Sequence, residues 1–315
     1  MFDREHLRKI LKIFIVAFLC CDLQISSLQT NTVAAHHDFD GEAFNGTLAT
    51  LDKARYHASI RLSAKETKFG DGHICSGALV APSVVLTVAS CIYDYNSNMS
   101  RHPSELKVIM GTLNRYQRTK FTLVYGVTHV YQQKTFNPHT LRDNIAIILL
   151  ERDIPEDHPI VQPIHINLLK TNTRTNVHAN VKMQYGYEVT SWCAKESLPI
   201  AQLIAFNASE LSNQACSIND KALSTQGTYC LELTHMEQVT CRENIGAPLH
   251  ADNKLIGLVS HASTTKHTAI IYTDVSHHAK WILSTVGKGN NQNSSIWGVI
   301  GFLVFTIFTV KSRKK

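Results

Sequence analysis

The sequence predicts an all-β protein with one helix near its C-terminal end. Short runs rich in β-branched and aromatic residues recur along the chain, and Gly, Pro, Asn or Asp occupies many of the gaps between them. That pattern is typical of a barrel or a sandwich. The helix is predicted over Ser276 to Val286, where Ala279, Ile282, Leu283 and Val286 follow a helical period. The predicted strand runs are Ala58 to Leu62, Ala78 to Val88, Leu106 to Gly111, Phe121 to Val130, Ile145 to Leu150, Leu203 to Asn207, Lys254 to Ser260 and Ile270 to Tyr272.

Composition points to a globular body without a nucleic-acid partner. The chain has 315 residues, of which 44% are hydrophobic, so it can bury a sizeable core. Its formal charge is +6, but Lys and Arg cluster only at the two ends. Because no basic stretch is interleaved with aromatic residues, we expect no nucleic-acid binding. The region from Ala43 to Val286 contains no long linker, repeat or low-complexity run, and we expect one domain there.

The first 27 residues are predicted to be a signal peptide. Basic residues that include Arg8 and Lys12 precede an apolar run from Ile13 to Cys21, which is too short to span a bilayer. An N-terminal membrane anchor is the alternative. Residues 28–42 would then form a short extension. Secretion would place the remaining cysteines in an oxidising compartment, where they form disulfides.

A second apolar segment, Ile296 to Val310, follows a polar linker at 287–295 and precedes the basic tail at 311–315. A helix of this length reaches about 22 Å, against a hydrocarbon core of roughly 30 Å. Trp297 and the terminal lysines could sit at the interfaces, so we predict a single membrane span with a cytoplasmic tail. A cleaved glycolipid-anchor signal and a docked tail are the alternatives.

Asparagine sequons support a body that is extracellular or lumenal. Each is a weak signal alone, but together with a signal peptide they predict a glycoprotein. The sequons begin at Asn45, Asn98, Asn207 and Asn293.

Five segments carry recognisable motifs. They are His73 to Cys91, Asp143 to Leu150, Cys241 to Leu249, Lys254 to Ser260 and Ile271 to Ile282. These segments resemble parts of the chymotrypsin- and trypsin-like serine proteases, the peptidase S1 family. In that family they surround the catalytic histidine and aspartate, form the nucleophile loop, and supply the strand after it and the closing strand and helix. Their order matches the family, and they extend over nearly all of residues 43–286. The resemblance implies two six-stranded antiparallel β-barrels with a C-terminal helix and an active-site cleft between the barrels.

All three positions of the catalytic triad carry a different side chain. Ser90 stands where the resemblance implies the histidine, Asn144 where it implies the aspartate, and Ile245 where it implies the nucleophilic serine. Acyl transfer by such a triad needs a nucleophile, a base and a carboxylate that orients the base. We therefore predict no catalytic residues. A one-residue slip would bring Asp143 into the second position without restoring the other two groups.

The groups that support catalysis in the family also differ. Glu243 stands where the resemblance implies a glycine that donates to the oxyanion, and a carboxylate there would repel developing negative charge. Val239 stands at the floor of the specificity pocket in place of an aspartate. His261-Ala262 replaces the usual Trp-Gly of the strand that pairs with substrate.

The activation switch of the family is also missing. Glu42 stands where the activating cut would follow a basic residue, unless the N-terminal alignment has slipped. Asn244 replaces the carboxylate that would receive the new amino terminus. A sequence error or a divergent working enzyme is the alternative to loss of activity.

The cysteines define a disulfide framework. Of the eight, Cys20 and Cys21 leave with the signal peptide, and the other six allow fifteen pairings. The resemblance implies Cys75–Cys91 and Cys216–Cys230. The family partner of Cys241 is absent, and Cys193 is left over in a loop that the resemblance places near the nucleophile loop. We therefore predict a Cys193–Cys241 bridge.

Two histidine pairs, His36-His37 and His277-His278, raise the question of a metal. Neighbouring side chains diverge too far for common metal geometries without further ligands. His277-His278 stands where the family helix begins, and we expect a surface or capping role. We predict no metal and no organic cofactor.

Three functions fit these observations. The leading one is a pseudoprotease that binds other proteins, including proteases or inhibitors, as a regulator or scaffold in an extracellular network of immune or reproductive type. The second is a carrier or carbohydrate-binding module that reuses the cleft. The third is a residual serine-type endopeptidase.

Overall fold

The structure, a computed structural model, describes residues 47–168, 186–195, 198–199, 201–211, 226–233, 239–240, 245–262 and 269–288. The predicted signal peptide, the N-terminal extension and the segment at 296–310 with its basic tail lie outside these residues. Within the described part of the chain, no helix is both long enough and apolar enough to cross a membrane.

The N-terminal half forms a closed antiparallel barrel of six strands in the order β2-β3-β4-β9-β8-β7. Its strands are β2 (His57–Leu62), β3 (His73–Ala81), β4 (Val84–Thr87), β7 (Leu106–Met110), β8 (Leu123–Gln132) and β9 (Ala146–Leu150). Pro82 and Ser83 separate β3 from β4, so the single run predicted over Ala78 to Val88 is wrong. Proline has no N–H for the ladder, and the chain turns there instead.

The C-terminal half closes in the same way. The pairings run β14-β11-β17-β18-β19-β15, and β15 pairs again with β14 to complete the ring. The strands are β11 (Tyr187–Ser191), β14 (Ile204–Leu211), β15 (Thr228–Leu233), β17 (Pro248–Ala251), β18 (Lys254–Ala262) and β19 (Ala269–Asp274). The predicted fold class, two six-stranded antiparallel barrels with a C-terminal helix, is confirmed.

Short strands, two helices and two 3-10 turns lie outside the twelve barrel strands in the described part of the chain. β1 pairs with β14 and β10 pairs with β18, while β5 and β6 form a hairpin and β12, β13 and β16 form a small sheet. These strands are β1 (Thr47–Leu48), β5 (Tyr93–Asp94), β6 (Met99–Ser100), β10 (His165–Ile166), β12 (Ala194–Lys195), β13 (Leu198–Pro199) and β16 (Val239–Thr240). The helices are α1 (Ala89–Ile92) and α2 (Ala279–Lys288), with 3-10 turns at Ser63–Lys65 and Pro103–Glu105.

Helix α2 begins three residues later than the sequence predicted and extends two residues into the predicted linker. A carboxylate oxygen of Asp274 accepts a hydrogen bond from the Ser276 N–H at 2.7 Å, and this bond holds residues 275–278 in a turn ahead of the helix. Val275 of that turn, together with Ile282 and Val286 of α2, belongs to the same buried cluster as the side chains of the first barrel. The helix therefore fastens the end of the second barrel to the core of the first.

Candidate functional site

Ser90 lies in α1, the single helical turn that follows β4. The disulfide Cys75–Cys91 ties this turn to the middle of β3. Ala89, Cys91 and Ile92 are buried, whereas Ser90 is half-buried. The turn therefore leaves the Ser90 side chain partly exposed at the position where the resemblance implies the histidine.

Asn144 lies just ahead of β9 and has no exposed surface. Its side-chain oxygen accepts the backbone N–H of Ser90 at 2.8 Å. Its amide nitrogen donates to the Ser90 hydroxyl at 3.2 Å and to the Ser260 hydroxyl at 2.8 Å. One side chain therefore joins α1 to β18. The structure places Asn144, and not Asp143, against Ser90.

Ser260 faces the site because β18 is irregular there. The pairing of β18 with β19 passes from Val259 to His261 and leaves Ser260 as an extra residue. Such a bulge turns a side chain away from the regular alternation. The Ser260 hydroxyl also lies 3.2 Å from Nδ1 of His261. The network thus runs from Ser90 through Asn144 and Ser260 to a half-buried imidazole.

Ile245 occupies the tip of the loop that precedes β17. Its carbonyl accepts the N–H of Ser76 at 2.9 Å, and the N–H of Gly246 donates to the carbonyl of Val259 at 2.7 Å. Gly246 has φ +80°, and a Cβ there would lie 2.0 Å from the Ser76 carbonyl oxygen. The half-buried Ile245 side chain packs against the core cluster of the first barrel. The loop tip is therefore anchored to both barrels, and an alkyl group stands at the nucleophile position.

These three positions hold a hydroxyl, an amide and an alkyl group. None of these three side chains is charged near neutral pH, so the hydrogen bonds that Asn144 makes with Ser90 and Ser260 are between neutral groups. A serine hydroxyl is a very weak base, and an amide cannot stabilise an imidazolium by charge.

The comparisons with known proteins agree with this architecture. The sequence model of the trypsin family matches residues 44–282. The chain belongs to the trypsin family. Its predicted membership in the peptidase S1 proteases is therefore confirmed.

Individual relatives are distant in sequence. A trypsin of Sarcophaga bullata is 22% identical over 79% of this chain and 91% of its own length. A chymotrypsin of Phaedon cochleariae is 26% identical over 76% of this chain and 81% of its own. Among solved structures, an inactivated protease paralogue of the scabies mite, SMIPP-S-D1, aligns with a TM-score of 0.62 and 17% identity, over 78% of this chain and 97% of that one. This last likeness concerns the fold.

Several other predicted site residues of this trypsin-family chain lie outside the described residues. They are Glu42, Asn45, Cys216, Cys241, Glu243, Asn244 and Asn293, together with the pair His36-His37. Val239 lies in β16. Of the sequon asparagines that are described, Asn98 and Asn207 are both exposed, so a glycan could be attached to either. Cys193 and Cys230 are each disulfide-bonded.

Sequence reasoning missed a polar cluster where the two barrels meet. His57 of β2 is buried, with Nδ1 2.9 Å from the Thr190 hydroxyl of the second barrel and Nε2 3.0 Å from the Ser76 hydroxyl of the first. Burial, with a smaller contribution from His250, lowers the pKa of His57 to about 3. The ring is therefore neutral and links the barrels by hydrogen bonds. His57 directly precedes the strand predicted over Ala58 to Leu62, and the sequence analysis gave it no role.

A second missed group stands near the same interface. Glu188 of β11 pairs with Lys53, and its carboxylate lies 3.2 Å from the His250 imidazole. Burial favours the neutral acid, but the hydrogen bonds from His250 and Lys53 outweigh it and lower the pKa of Glu188.

Proposed function

We propose that this chain is a non-catalytic serine protease homologue that binds other proteins, as a regulator or scaffold of an extracellular protease network. The observation that carries the proposal is the neutral hydrogen-bond network of Asn144, which joins Ser90 to Ser260 where an active family member would hold its imidazole and carboxylate.

The chemistry of the site supports the loss of hydrolysis. No group at Ser90 can take a proton near neutral pH, and Ile245 offers no heteroatom that could attack a carbonyl. The Asn144 amide is already committed to three hydrogen-bonded partners: the Ser90 N–H and the hydroxyls of Ser90 and Ser260. Without a nucleophile and a base that takes its proton, the first step of acyl transfer, attack on the substrate carbonyl, cannot take place.

A maintained fold around such a site favours a binding role. The loop tip is anchored through Gly246, the bulge at Ser260 is present, and both barrels are closed. The structural resemblance to a scabies mite protein described as an inactivated protease paralogue supports the view that this fold can persist in a homologue that is not an active protease. In this proposal the glycosylated body is extracellular or lumenal and is tethered by the segment at 296–310.

The hairpin formed by β5 and β6 is the best-supported contact surface. It follows directly from α1, the helical turn that carries Ser90. Tyr95 is 53% exposed and Met99 is 67% exposed, although both are large and apolar. Tyr and Met are enriched at protein interfaces, where burying them is favourable. The sequon at Asn98 lies in the same hairpin, and a glycan there would restrict how a partner approaches.

Covalent labelling tests the absence of catalysis. The secreted body, residues 28–290, should not react with a fluorophosphonate probe under conditions in which a fly trypsin is fully labelled. The matched variant Ile245→Ser, which gains a hydroxyl but no base, should also stay unlabelled. Labelling of the wild-type body would overturn this part of the proposal and favour the residual endopeptidase.

Co-purification tests the binding role. The glycosylated body should capture proteins from its native fluid, and active proteases or their inhibitors should be among them. Tyr95→Ser and Met99→Ser should reduce that capture, whereas Tyr116→Ser, at another exposed aromatic residue, should leave it unchanged. If Tyr95→Ser and Met99→Ser capture as much protein as the wild type, the hairpin is not the contact surface. Selective glycan or small-ligand binding without any protein partner would favour the carrier alternative.

A further inference from the structure

Three side chains that can ligate a metal meet at the junction between the first barrel and helix α2. Asp143 precedes β9, and His277 and His278 lie in the turn before α2. The ligand atoms of all three lie within 4.8 Å of one another. This group takes no part in the degenerate triad, although Asp143 directly precedes Asn144.

The adjacent histidines do not diverge as the sequence analysis expected. Their rings meet edge to face with centroids 4.9 Å apart and an interplanar angle of 84°. His278 is only 4% exposed, and its backbone carbonyl accepts the Ile282 N–H at 2.9 Å at the start of α2. The fold supplies the third ligand that the sequence argument lacked, because Asp143 comes from a distant part of the chain.

The surroundings hold the histidine pair in place. The Asp274 carboxylate accepts the Ser276 N–H at 2.7 Å and so fixes the turn that carries both rings. Gly227, with φ +79°, lies so close to the His277 ring that an added Cβ would be 2.5 Å from it. A preset arrangement of this kind lowers the entropy that ligands lose when they bind a metal.

We propose that Asp143, His277 and His278 form a binding site for Zn²⁺ that fastens helix α2 to the first barrel. Two imidazoles and one carboxylate suit zinc, which takes nitrogen and oxygen ligands at about 2.0–2.2 Å and accepts water as a fourth ligand. Soft-metal thiolates are not involved. Small movements of the three side chains would close the ligand set around one ion.

The charge of the ligands favours the ion. Asp143 supplies one carboxylate beside the two imidazoles, and the ligand atoms of all three lie within 4.8 Å of one another. The competing cation at Asp143 is Arg142, whose Nε lies 3.7 Å from the carboxylate. The Arg142 side chain is 55% exposed and can move into solvent when the metal binds.

Zinc at this point would link elements that already share a core. Val275 and Ile282 flank the histidine pair and pack into the buried cluster of the first barrel. Asp143 lies three residues before the start of β9. The ion would therefore oppose separation of α2 from that barrel. It would also hold the residue next to Asn144, which adds rigidity to one side of the cleft.

The test uses the full chain from secretory expression, stripped with a chelator and titrated with ZnCl₂. Calorimetry should show one zinc ion bound to this site, and the Tm should rise by about 5–10 °C at a zinc concentration about a hundredfold above Kd. Asp143→Asn keeps the shape of the side chain but removes its charge. It should weaken binding by at least about tenfold, because even outer partners of a metal site contribute that much.

Control variants separate this site from other histidines. His278→Asn should lose the same zinc ion, while His139→Asn and the double change H36N/H37N should keep it. Should His278→Asn fail to fold, Asp143→Asn with Co²⁺ as a spectroscopic probe decides, since only the wild type should show tetrahedral d–d absorption. Unchanged zinc affinity in Asp143→Asn, or loss of it in H36N/H37N alone, would overturn the proposal.

Discussion

The side-chain oxygen of Asn144 accepts the backbone N–H of Ser90 at 2.8 Å, so two degenerate triad positions are bonded directly to each other. The same amide then donates to Ser260 of the second barrel. The Asn144 side chain therefore links α1, the segment ahead of β9, and β18. Its hydrogen bonds to the two serines are between neutral groups and contribute to stability.

Asn144→Ala should destabilise the protein by about 1–3 kcal/mol, because it leaves the Ser90 N–H and the Ser260 hydroxyl without their partner in a buried site. Asn144→Asp is the matched control. It keeps the acceptor, and the hydroxyls of Ser90 and Ser260 can rotate to donate to it at neutral pH. Urea unfolding at pH 7 measures both. Equal losses for the two variants would show that the network is not what stabilises this position.

Gly246→Ala should be among the most damaging single changes, with a loss of at least about 3 kcal/mol. The backbone there has φ +80°, and the new Cβ would lie 2.0 Å from the Ser76 carbonyl oxygen, which belongs to the backbone of β3 and cannot move easily. Gly186→Ala is the control, since its nearest atom is the Ala208 carbonyl oxygen at 3.9 Å. It should change stability by less than about 0.5 kcal/mol. Similar melting temperatures for the two variants would contradict this account.

The sequence was sufficient for those parts of the site that depend on local motifs. Ser90 follows a buried strand and precedes a cysteine, and Asn144 precedes a continuous apolar strand, so each could be aligned with the family by its neighbours. Closed barrels followed from the same resemblance. The strands β11, β15 and β17 were missed, because residues such as Glu188 in β11 and Glu232 in β15 interrupt the apolar pattern. Pairing with neighbours on both sides overrides that weak local signal.

Contacts between distant segments could not be predicted in this way. The bulge that turns Ser260 toward Asn144 depends on the pairing of β18 with β19. His57 bonds to Thr190 only because the barrels close against each other. The meeting of Asp143 with His277 and His278 likewise needs the packing of α2 on the first barrel. All three contacts depend on how the barrels and α2 pack together, and the spacing of residues along the chain does not reveal that packing.

Stability should fall as the pH decreases from about 6.5 toward 3. An unfolded histidine titrates near 6.5, whereas burial lowers the pKa of His57 to about 3. Between these values the unfolded chain binds the extra proton, so stability rises with pH through the window and is lost on acidification. Burial lowers the pKa of His73 and of His278 in the same sense. Each such histidine adds a slope of up to about 1.4 kcal/mol per pH unit.

The variant His57→Gln measures how much His57 contributes to the change of unfolding free energy with pH. Glutamine can still bond to Thr190 and Ser76 but takes up no proton, so the decline in unfolding free energy between pH 7 and pH 5 should become shallower. Denaturant titrations at each pH measure it. His139→Gln, at an exposed loop position, should leave the slope as in the wild type. An unchanged slope in His57→Gln would mean that the buried ring does not control the acid response.

Cys193 should be joined to Cys241. Cys193 has no exposed surface and is disulfide-bonded. In the small sheet, Ala194 pairs with Thr240 and Lys195 with Val239 in antiparallel register. Cys193 directly precedes Ala194 in the chain, and Cys241 directly follows Thr240. Opposed residues in an antiparallel ladder lie about 4.5–5.5 Å apart at Cα, within the range that a disulfide spans, so we expect this pairing.

Peptide mapping without reduction should recover a linked pair of peptides that contain Cys193 and Cys241, separate from the pair that contains Cys230. The double change C193S/C241S should lower stability by about 2–4 kcal/mol, because the bridge restricts the unfolded chain. It should do so without any labelling by a fluorophosphonate, since the bridge supports the loop and supplies no chemistry. A free thiol at Cys241, or a bridge from Cys193 to Cys216, would exclude the proposed pairing and with it the idea that this bond holds the loop ahead of Ile245.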